Sequence, residues 1–569
     1  MPTSNAPLAF SKIVSAKPDV DALKAAYDDI TTRLEHSATP AARALLVREW
    51  DALRRKTETW GALASLHFEQ DTTNPEYQEE RKLRDELTPK ITALDIDMKR
   101  RLLKSPHRME LEREFGSHVF ATWAVDVSAF DPVIEEDLVR EAQLGSEYSA
   151  LIASAKIDFG GKQHNLAGIE SFTKVAEREV RHRAQTARWD FYSQHADQFD
   201  RIFDDLVKTR HAMARKLGFE NYVALGYKKM QRLDYNEQDV ARYREEVATH
   251  IVPLAGAIVR ERASRLRLKK AMYWDESLHD NLGNPRPAGD YDFLMQQGSA
   301  TFHAMHPELG AFFDMMVANE LVDLRNRAGK NGGGFCTNFA SYGLPFIFAN
   351  FNGTEHDVVV LLHEMGHAYQ NYSSRHLPLF DTLWPTFETA EVHSMSMEFL
   401  SFSEMHRFFG DDAERYRQHH LAEALLFIPY GVAVDHFQHL VYAAPDATPA
   451  ERHEMWKSLE RQYLPWRDYG DIAFGNEGRL WQEKRHIYLT PFYYIDYTLA
   501  QCCALQFWAR AQTDAAGALH DYMGLCARGG TAAFATLIRS ANLQSPFGQG
   551  ALAGVATEAR RVLGVSLTA

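Results

Sequence analysis

Cysteine is scarce in this chain. Its 569 residues hold four, Cys336, Cys502, Cys503 and Cys526. Two are adjacent and no CxxC pair occurs, so a disulfide frame and a cysteine-rich metal module are both excluded and reduced thiols are expected. Long apolar runs are missing as well. The longest uncharged one, Ala424 to Val434, contains Pro429 and Gly431 and falls well short of the ~20 residues that cross a bilayer. There is no block of Lys or Arg, and the net charge is −14. That balance excludes a nucleic-acid binder of the usual basic kind and weakly favours cationic peptides. Met1 to Pro18 lacks a basic start followed by an apolar core. The expectation is therefore no secretion signal, no membrane association and a soluble, cytoplasmic setting.

What is present is helical patterning. With 45% hydrophobic residues the chain can bury a large core. Residues 19 to 103 carry helical periods with dense charge on the other faces, for instance Leu83, Leu87, Ile91 and Leu94, and Pro89 is expected to bend that helix. Ile157 to His164 reads as a small hairpin around Gly160-Gly161, and helical patterns resume near Ser171. This places a boundary near residue 165, with a helical region 1–165 followed by a second part, 166–569. Residues 280 to 290 form a loop-rich insertion in the second part. The expected fold class is mostly α.

The sharpest local signal is His363-Glu364-Met365-Gly366-His367, an H-E-x-x-H pattern entered through the apolar run Val358 to Leu362. On a helix, residues four apart stand on one face, so two imidazoles can grip one metal ion. The residue after the first His points about 100° away, where a carboxylate can act on water rather than join the chelate. Two nitrogen ligands, a carboxylate base and an open position are what zinc-assisted hydrolysis requires. Thr354 and Asp357 stand at capping-box spacing just ahead of this helix.

A third ligand is needed. The three-His class is excluded, because Ser373 stands where its third His would be and Gln370 where its Gly would be. Glu388, Glu391 and Glu398 remain. Glu391, Ser394, Met395 and Glu398 follow one helical stripe, which Glu388 extends by a turn. Such a stripe facing the motif helix brings one carboxylate to the metal and leaves another to accept a hydrogen bond from a ligand His. Spacing alone does not choose between Glu388 and Glu391.

Upstream, Gly332-Gly333-Gly334 precedes an aromatic and β-branched run, Pro345 to Gly353, that reads as a strand with an open edge to which an extended peptide can pair. Downstream, five Tyr and His residues fall within the twelve positions from His486 to Tyr497. Phenol and imidazole donors there can hold the oxyanion that attack on a peptide carbonyl creates. Two further His groups are read as structural. Asp435-His436-Phe437-Gln438-His439 is expected to be a packing helix face, and His419-His420, beside Arg415 and Arg417, a solvated surface.

These motifs resemble the oligoendopeptidase F and thimet oligopeptidase family of zinc metallopeptidases, which carries H-E-x-G-H and then E-x-x-S-x-x-x-E on the next helix. Matched residue by residue, the resemblance implies metal ligands at His363, His367 and Glu391, and a general base at Glu364. It implies a transition-state tyrosine at Tyr497 or Tyr494, Tyr493 remaining open, with His486 nearby. Gln370 departs from the His that many relatives carry there, at a position that is not a ligand. Asp435 to Gln438 resembles a D-x-F-Q segment of the same family. A bilobed, mostly helical metallopeptidase is implied, with a deep substrate channel and a small sheet beside the zinc helix. The implied activity is endopeptidase cleavage of short unfolded peptides with one Zn2+ per chain. A zinc carboxypeptidase or dipeptidase of related fold, and an inactive peptide-binding scaffold, are the alternatives.

Overall fold

The structure is a computed structural model that describes residues 8–567; the first seven residues of the Met1–Pro18 segment lie outside the described residues. The elements needed below are, in chain order, α1 (Val20–His36), α2 (Pro40–Gln70), α3 (Pro75–Leu103), the strands β1 (Ile157–Phe159) and β2 (Lys162–His164), and α4 (Tyr222–Lys229). There follow β3 (Val322–Arg325), β4 (Phe335–Phe339), β5 (Leu344–Phe351), α5 (Glu355–Ser374), α6 (Phe387–Leu400), α7 (Ala413–Ala443), α8 (Tyr494–Ala511) and α9 (Ala515–Arg528). The fold is mostly helical with two small sheets, as the sequence leads one to expect. No described helix is long and apolar enough to cross a membrane.

Contacts divide the chain into two compact units. One consists of Met1–Val127, Pro285–Glu414 and Cys503–Gln544; the other of Ser128–Asn284, Arg415–Cys502 and Ser545–Ala569.

In the first unit, α2 and α3 begin in the same way. Thr39 and Asn74 cap backbone N–H groups, and Pro40 and Pro75 occupy the first turns, where the missing N–H costs nothing. Pro89 sits inside α3 without ending it. Tyr27, Ile30, Leu34, Trp50, Leu102, Phe120 and Trp123 form the main core of these helices. Leu83, Leu87 and Ile91 pack with Trp60 and Ala64 in a smaller cluster, as their spacing predicts. The sheet of this unit has the order β3-β5-β4, β5 running parallel to β3 and antiparallel to β4. Six successive β5 residues, Leu344 to Ala349, are buried.

This corrects one expectation. The strand at 344–351 has no free edge, because it is the central one; the open edges belong to β3 and to β4. The third strand, Val-Asp-Leu-Arg, escapes a hydrophobicity reading because its polar residues are held by charge. The Asp323 carboxylate accepts from Gln70, Arg327 and the fully buried Lys330.

In the second unit, β1 and β2 form the expected hairpin, with Gly160 (φ 59°) and Gly161 (φ 77°) taking the two left-handed positions of a tight turn. Its core is aromatic. Trp481 packs on Phe203 (4.6 Å between centroids) and on Phe437 (4.8 Å). Asp435, Phe437 and Gln438 on α7 are wholly buried, so this segment packs as expected. His419 does not sit on a solvated surface. It is buried, its ring lies 4.8 Å from that of His279, and burial pushes its pKa down to about 3. Its covering partner comes from a segment 140 residues earlier, which local composition does not reveal.

Candidate active site

α5 starts where β5 ends, across a turn at Gly353 (φ 84°). Asp357 anchors that turn: its carboxylate accepts the backbone N–H groups of Asn352 (3.0 Å) and Gly353 (2.7 Å). The expected capping by Thr354 is not made; its hydroxyl donates to Asn352 Oδ1 instead (2.7 Å). The box is therefore replaced: Asp357 holds the two N–H groups ahead of the cap, and both the backbone N–H and the hydroxyl of Thr354 turn to Asn352 Oδ1.

Nearly two turns after Asp357 the helix presents His363 and His367 on one face, their ring centroids 5.0 Å apart. α6 packs against α5 and presents Glu391 and Glu398 to the same place. His363 Nε2 lies 3.4 Å from Glu391 Oε2, and His367 Nε2 lies 3.6 Å from the same oxygen. The three donor atoms lie within 4.8 Å of one another, and among the described residues this is the only such group of three. Glu388 is buried elsewhere on α6 and is not part of the group, so geometry separates the two carboxylates that spacing could not. Glu398 accepts from His363 Nδ1 at 2.7 Å, which leaves Nε2 of that ring turned toward Glu391. Ser394 donates to Glu391 Oε2 (3.1 Å) and holds its rotamer.

The donor set fits a dication. Two imidazole nitrogens and one carboxylate are typical of zinc, and ligands bonded at about 2.0–2.1 Å to a tetrahedral ion stand roughly 3.3 Å apart, close to the spacing here. The electrostatics agree. Burial alone would lower the pKa of His363, yet its hydrogen bonds to Glu391 and Glu398 outweigh burial and hold the ring well above its ordinary value. A positive charge is favoured at this place. His367 feels burial most and is pushed down to about 4, the neutral form a ligand needs.

Glu364 lies beside this group with 6% of its surface exposed, and its Oε2 has no hydrogen-bond partner. Burial raises its carboxyl to about 7; the His363 charge pulls it down, and Glu391 and Glu398 push it up. A dry, unpartnered carboxylate poised near neutrality is suited to moving a proton. Cys336, on β4, is its unanticipated neighbour: burial and then the Glu364 charge push this thiol well above its usual pKa.

The back of the site is also fixed. Gly366 faces α6 so closely that a Cβ there would meet His393 O at 2.6 Å and Ser394 Cα at 2.7 Å. Tyr522 on α9 donates to His393 O (2.9 Å), and Cys526 Sγ lies 3.3 Å from His393 Nδ1. Gln370 is buried and donates to Leu383 O (2.9 Å), tying α5 to the loop that leads into α6. In the same loop Asp381 accepts from buried Arg54 of α2 and from the Trp123 indole (both 3.0 Å). Burial would raise the Asp381 pKa, but the Arg54 guanidinium holds it well below the usual carboxylate range.

In the second unit the expected oxyanion donors cluster. The His486 ring lies 5.0 Å from Tyr494, 5.8 Å from Tyr497 and 6.0 Å from Tyr493. Tyr494 is buried at 7% exposure, whereas Tyr493, Tyr497 and His486 are half-buried. Burial raises the Tyr494 pKa, and Lys484, its ammonium 5.2 Å from that ring, opposes the rise. The aromatic density around 486–497 signalled the tyrosines, but nothing in the sequence marked Lys484.

Residues 171–557 match peptidase family M3, and residues 10–130 match the peptidase M3 N-terminal domain. A solved structure designated oligoendopeptidase F is 45% identical over 98% of this chain and 99% of that one, with a TM-score of 0.92. PZ peptidase A, solved with an inhibitor, is 42% identical with the same coverage and a TM-score of 0.93. An oligoendopeptidase F designate from Bacillus anthracis is 38% identical, again over 98% and 99%, with a TM-score of 0.88. No curated protein matches the chain.

Proposed function

From the premise that this chain belongs to peptidase family M3 and is a metalloendopeptidase, we propose that it is a zinc-dependent oligoendopeptidase cutting internal bonds of short, unfolded peptides. The observation that carries this is the convergence of His363 Nε2, His367 Nε2 and Glu391 Oε2 beside a buried, unpartnered Glu364 carboxylate. His363, His367 and Glu391 would hold the ion, and Glu398 orients His363 from behind. Zinc held there supplies Lewis acidity, polarising the scissile carbonyl and acidifying a water.

The chain's own groups handle the protons. Glu364 takes a proton from the attacking water at Oε2 and later delivers it to the leaving amine. Tyr497 or Tyr494, with His486, donates a hydrogen bond to the developing oxyanion; Tyr497 is half-buried, and Tyr493 shares that exposure. The open edge of β4, Phe335–Phe339, is suited to hold a peptide by its backbone, which gives firm placement with loose side-chain preference.

The test uses end-blocked fluorogenic peptides of graded length. Chelation is expected to abolish cleavage and added zinc to restore it. Glu364→Gln should keep its zinc and lose about 10²–10⁴ in kcat, the usual worth of a general base. Cleavage only after unblocking an end would make the enzyme an exopeptidase. Near wild-type turnover by Glu364→Gln would remove the base from this mechanism.

A further inference from the structure

Five described non-glycine residues have positive φ. Four of them, Gln231, Arg267, Glu320 and Asn542, follow directly on a helix C-cap, where a left-handed residue is ordinary. Phe492 (φ 67°) is the exception. It precedes a helix, it is bulky, and it is fully buried. A residue held in that region persists only where its surroundings over-determine it.

Here they do. The Phe492 N–H donates to Gln438 Oε1 on α7 (2.8 Å), and its carbonyl accepts from Arg232, shortly after α4. Gln438 Nε2 donates to Val434 O in its own helix (3.1 Å), which fixes the amide so that its oxygen faces Phe492. The same Arg232 Nη2 reaches Asp496 Oδ1 in the first turn of α8 (2.8 Å), with both side chains fully buried. The Phe492 ring is boxed by His439 (5.1 Å), Tyr442 (5.4 Å) and Tyr227 (5.7 Å). It presses on α4 so closely that a Cβ on Gly226 would meet its Cδ2 at 2.5 Å. Three elements thus grip one backbone residue, and the next five residues of the chain include Tyr493, Tyr494 and Tyr497.

We propose that Gln438 and Arg232 are positioning residues that lock Phe492 in its left-handed conformation and so aim the tyrosine turn that follows. The proposal rests on the reading that one of those tyrosines donates to the oxyanion. It gives the Asp435-x-Phe437-Gln438 segment a task that its sequence did not disclose: the amide oxygen of Gln438 caps a strained turn.

Gln438→Met keeps length and apolar bulk but removes the acceptor. With misplaced donors costing rate rather than binding, it should lower kcat by about tenfold or more, leave KM within about twofold, and leave bound zinc unchanged. Gln438→Glu, which at this fully buried position is expected to be protonated and so keeps both an oxygen for Phe492 N–H and a donor for Val434 O, should recover most of the loss. Tyr497→Phe should cost less in the Gln438→Met background than in the wild type, since the hydroxyl is already out of place. If Gln438→Met does not fold, Gly226→Ala presses on the Phe492 ring from α4 and should give the same kcat loss at constant KM. A folded Gln438→Met or Gly226→Ala enzyme with wild-type kcat overturns the anchoring. Wild-type kcat in all three single Tyr→Phe variants would instead overturn the oxyanion reading, so the two failures are told apart.

Discussion

Gly366→Ala should weaken metal binding without touching a ligand. Glycine inside a helix normally costs about 1 kcal/mol relative to alanine, so propensity alone predicts a more stable protein. The packing predicts the reverse. The new Cβ would lie 2.6 Å from His393 O, where carbon and oxygen ordinarily keep about 3.3 Å, a deficit of about 0.7 Å. Both atoms it meets belong to the α6 backbone, so no rotamer change relieves the contact and the helix itself must give way. Glu391 and Glu398 travel with α6. A shift of that size takes Glu391 Oε2 from 3.4 and 3.6 Å to roughly 4 Å from the two imidazole nitrogens, beyond the few tenths of an ångström a metal site tolerates. Zinc affinity should fall about 10–100-fold, the usual consequence of disturbing a supporting contact. Overpacking of about 1–3 kcal/mol should outweigh the helix gain and lower stability by about 1 kcal/mol. Competition with a fluorescent zinc chelator reads the first quantity and urea unfolding of the apo-protein the second. Gly524→Ala on α9, where a Cβ meets nothing within 4 Å, is the control and should stabilise slightly. Unchanged zinc affinity together with a raised urea midpoint in Gly366→Ala would show that α6 does not depend on this contact.

Glu391→Ala should lose zinc on dialysis while Glu388→Ala retains it, since only Glu391 shares the donor group; metal analysis showing the opposite order would move the third ligand. Asp381→Asn leaves the buried Arg54 guanidinium with Asp51 alone and should cost about 3 kcal/mol in urea unfolding, as broken buried pairs do. The same carboxylate makes stability acid-sensitive. Its folded pKa is depressed, so its contribution is fully present above the unfolded value of about 3.9 and is lost as pH falls below that toward the folded pKa. Asp381→Asn should therefore show a flatter stability profile below about pH 4, and an identical acid limb in both proteins would contradict the assignment.

The helix of the candidate site was legible because its pattern is written at one spacing: His363, Glu364 and His367 need only the pitch of α5 to share one region. The Gly160-Gly161 hairpin was legible for the same reason, two left-handed positions side by side. What escaped was set by approach between segments distant in the chain. Glu391 rather than Glu388 comes near the two imidazoles because of how α6 meets α5, an approach that a Cβ at Gly366 would obstruct. β3 looks polar until Lys330 and Gln70 arrive to hold Asp323. His419 looks like surface until His279 covers it. Thr354 has the right type and spacing for a cap, yet its hydroxyl found Asn352 nearer. Phe492 shows no sign of strain as a letter, because its conformation is imposed by Gln438 and Arg232.

The Arg54–Asp381 tie has an evolutionary corollary. The N-terminal match and the peptidase match occupy separate stretches of sequence, which invites the picture of an optional leader ahead of a self-sufficient catalyst. A guanidinium from α2 and an indole from the neighbouring helix, both anchored on the loop that feeds Glu391 into place, make that picture untenable. Trimming the first 127 residues would remove both partners of that carboxylate and uncover Leu379, which is buried in one core with Trp50 and Trp123, so shuffling these two stretches among relatives should succeed only when both sides of the tie are inherited together.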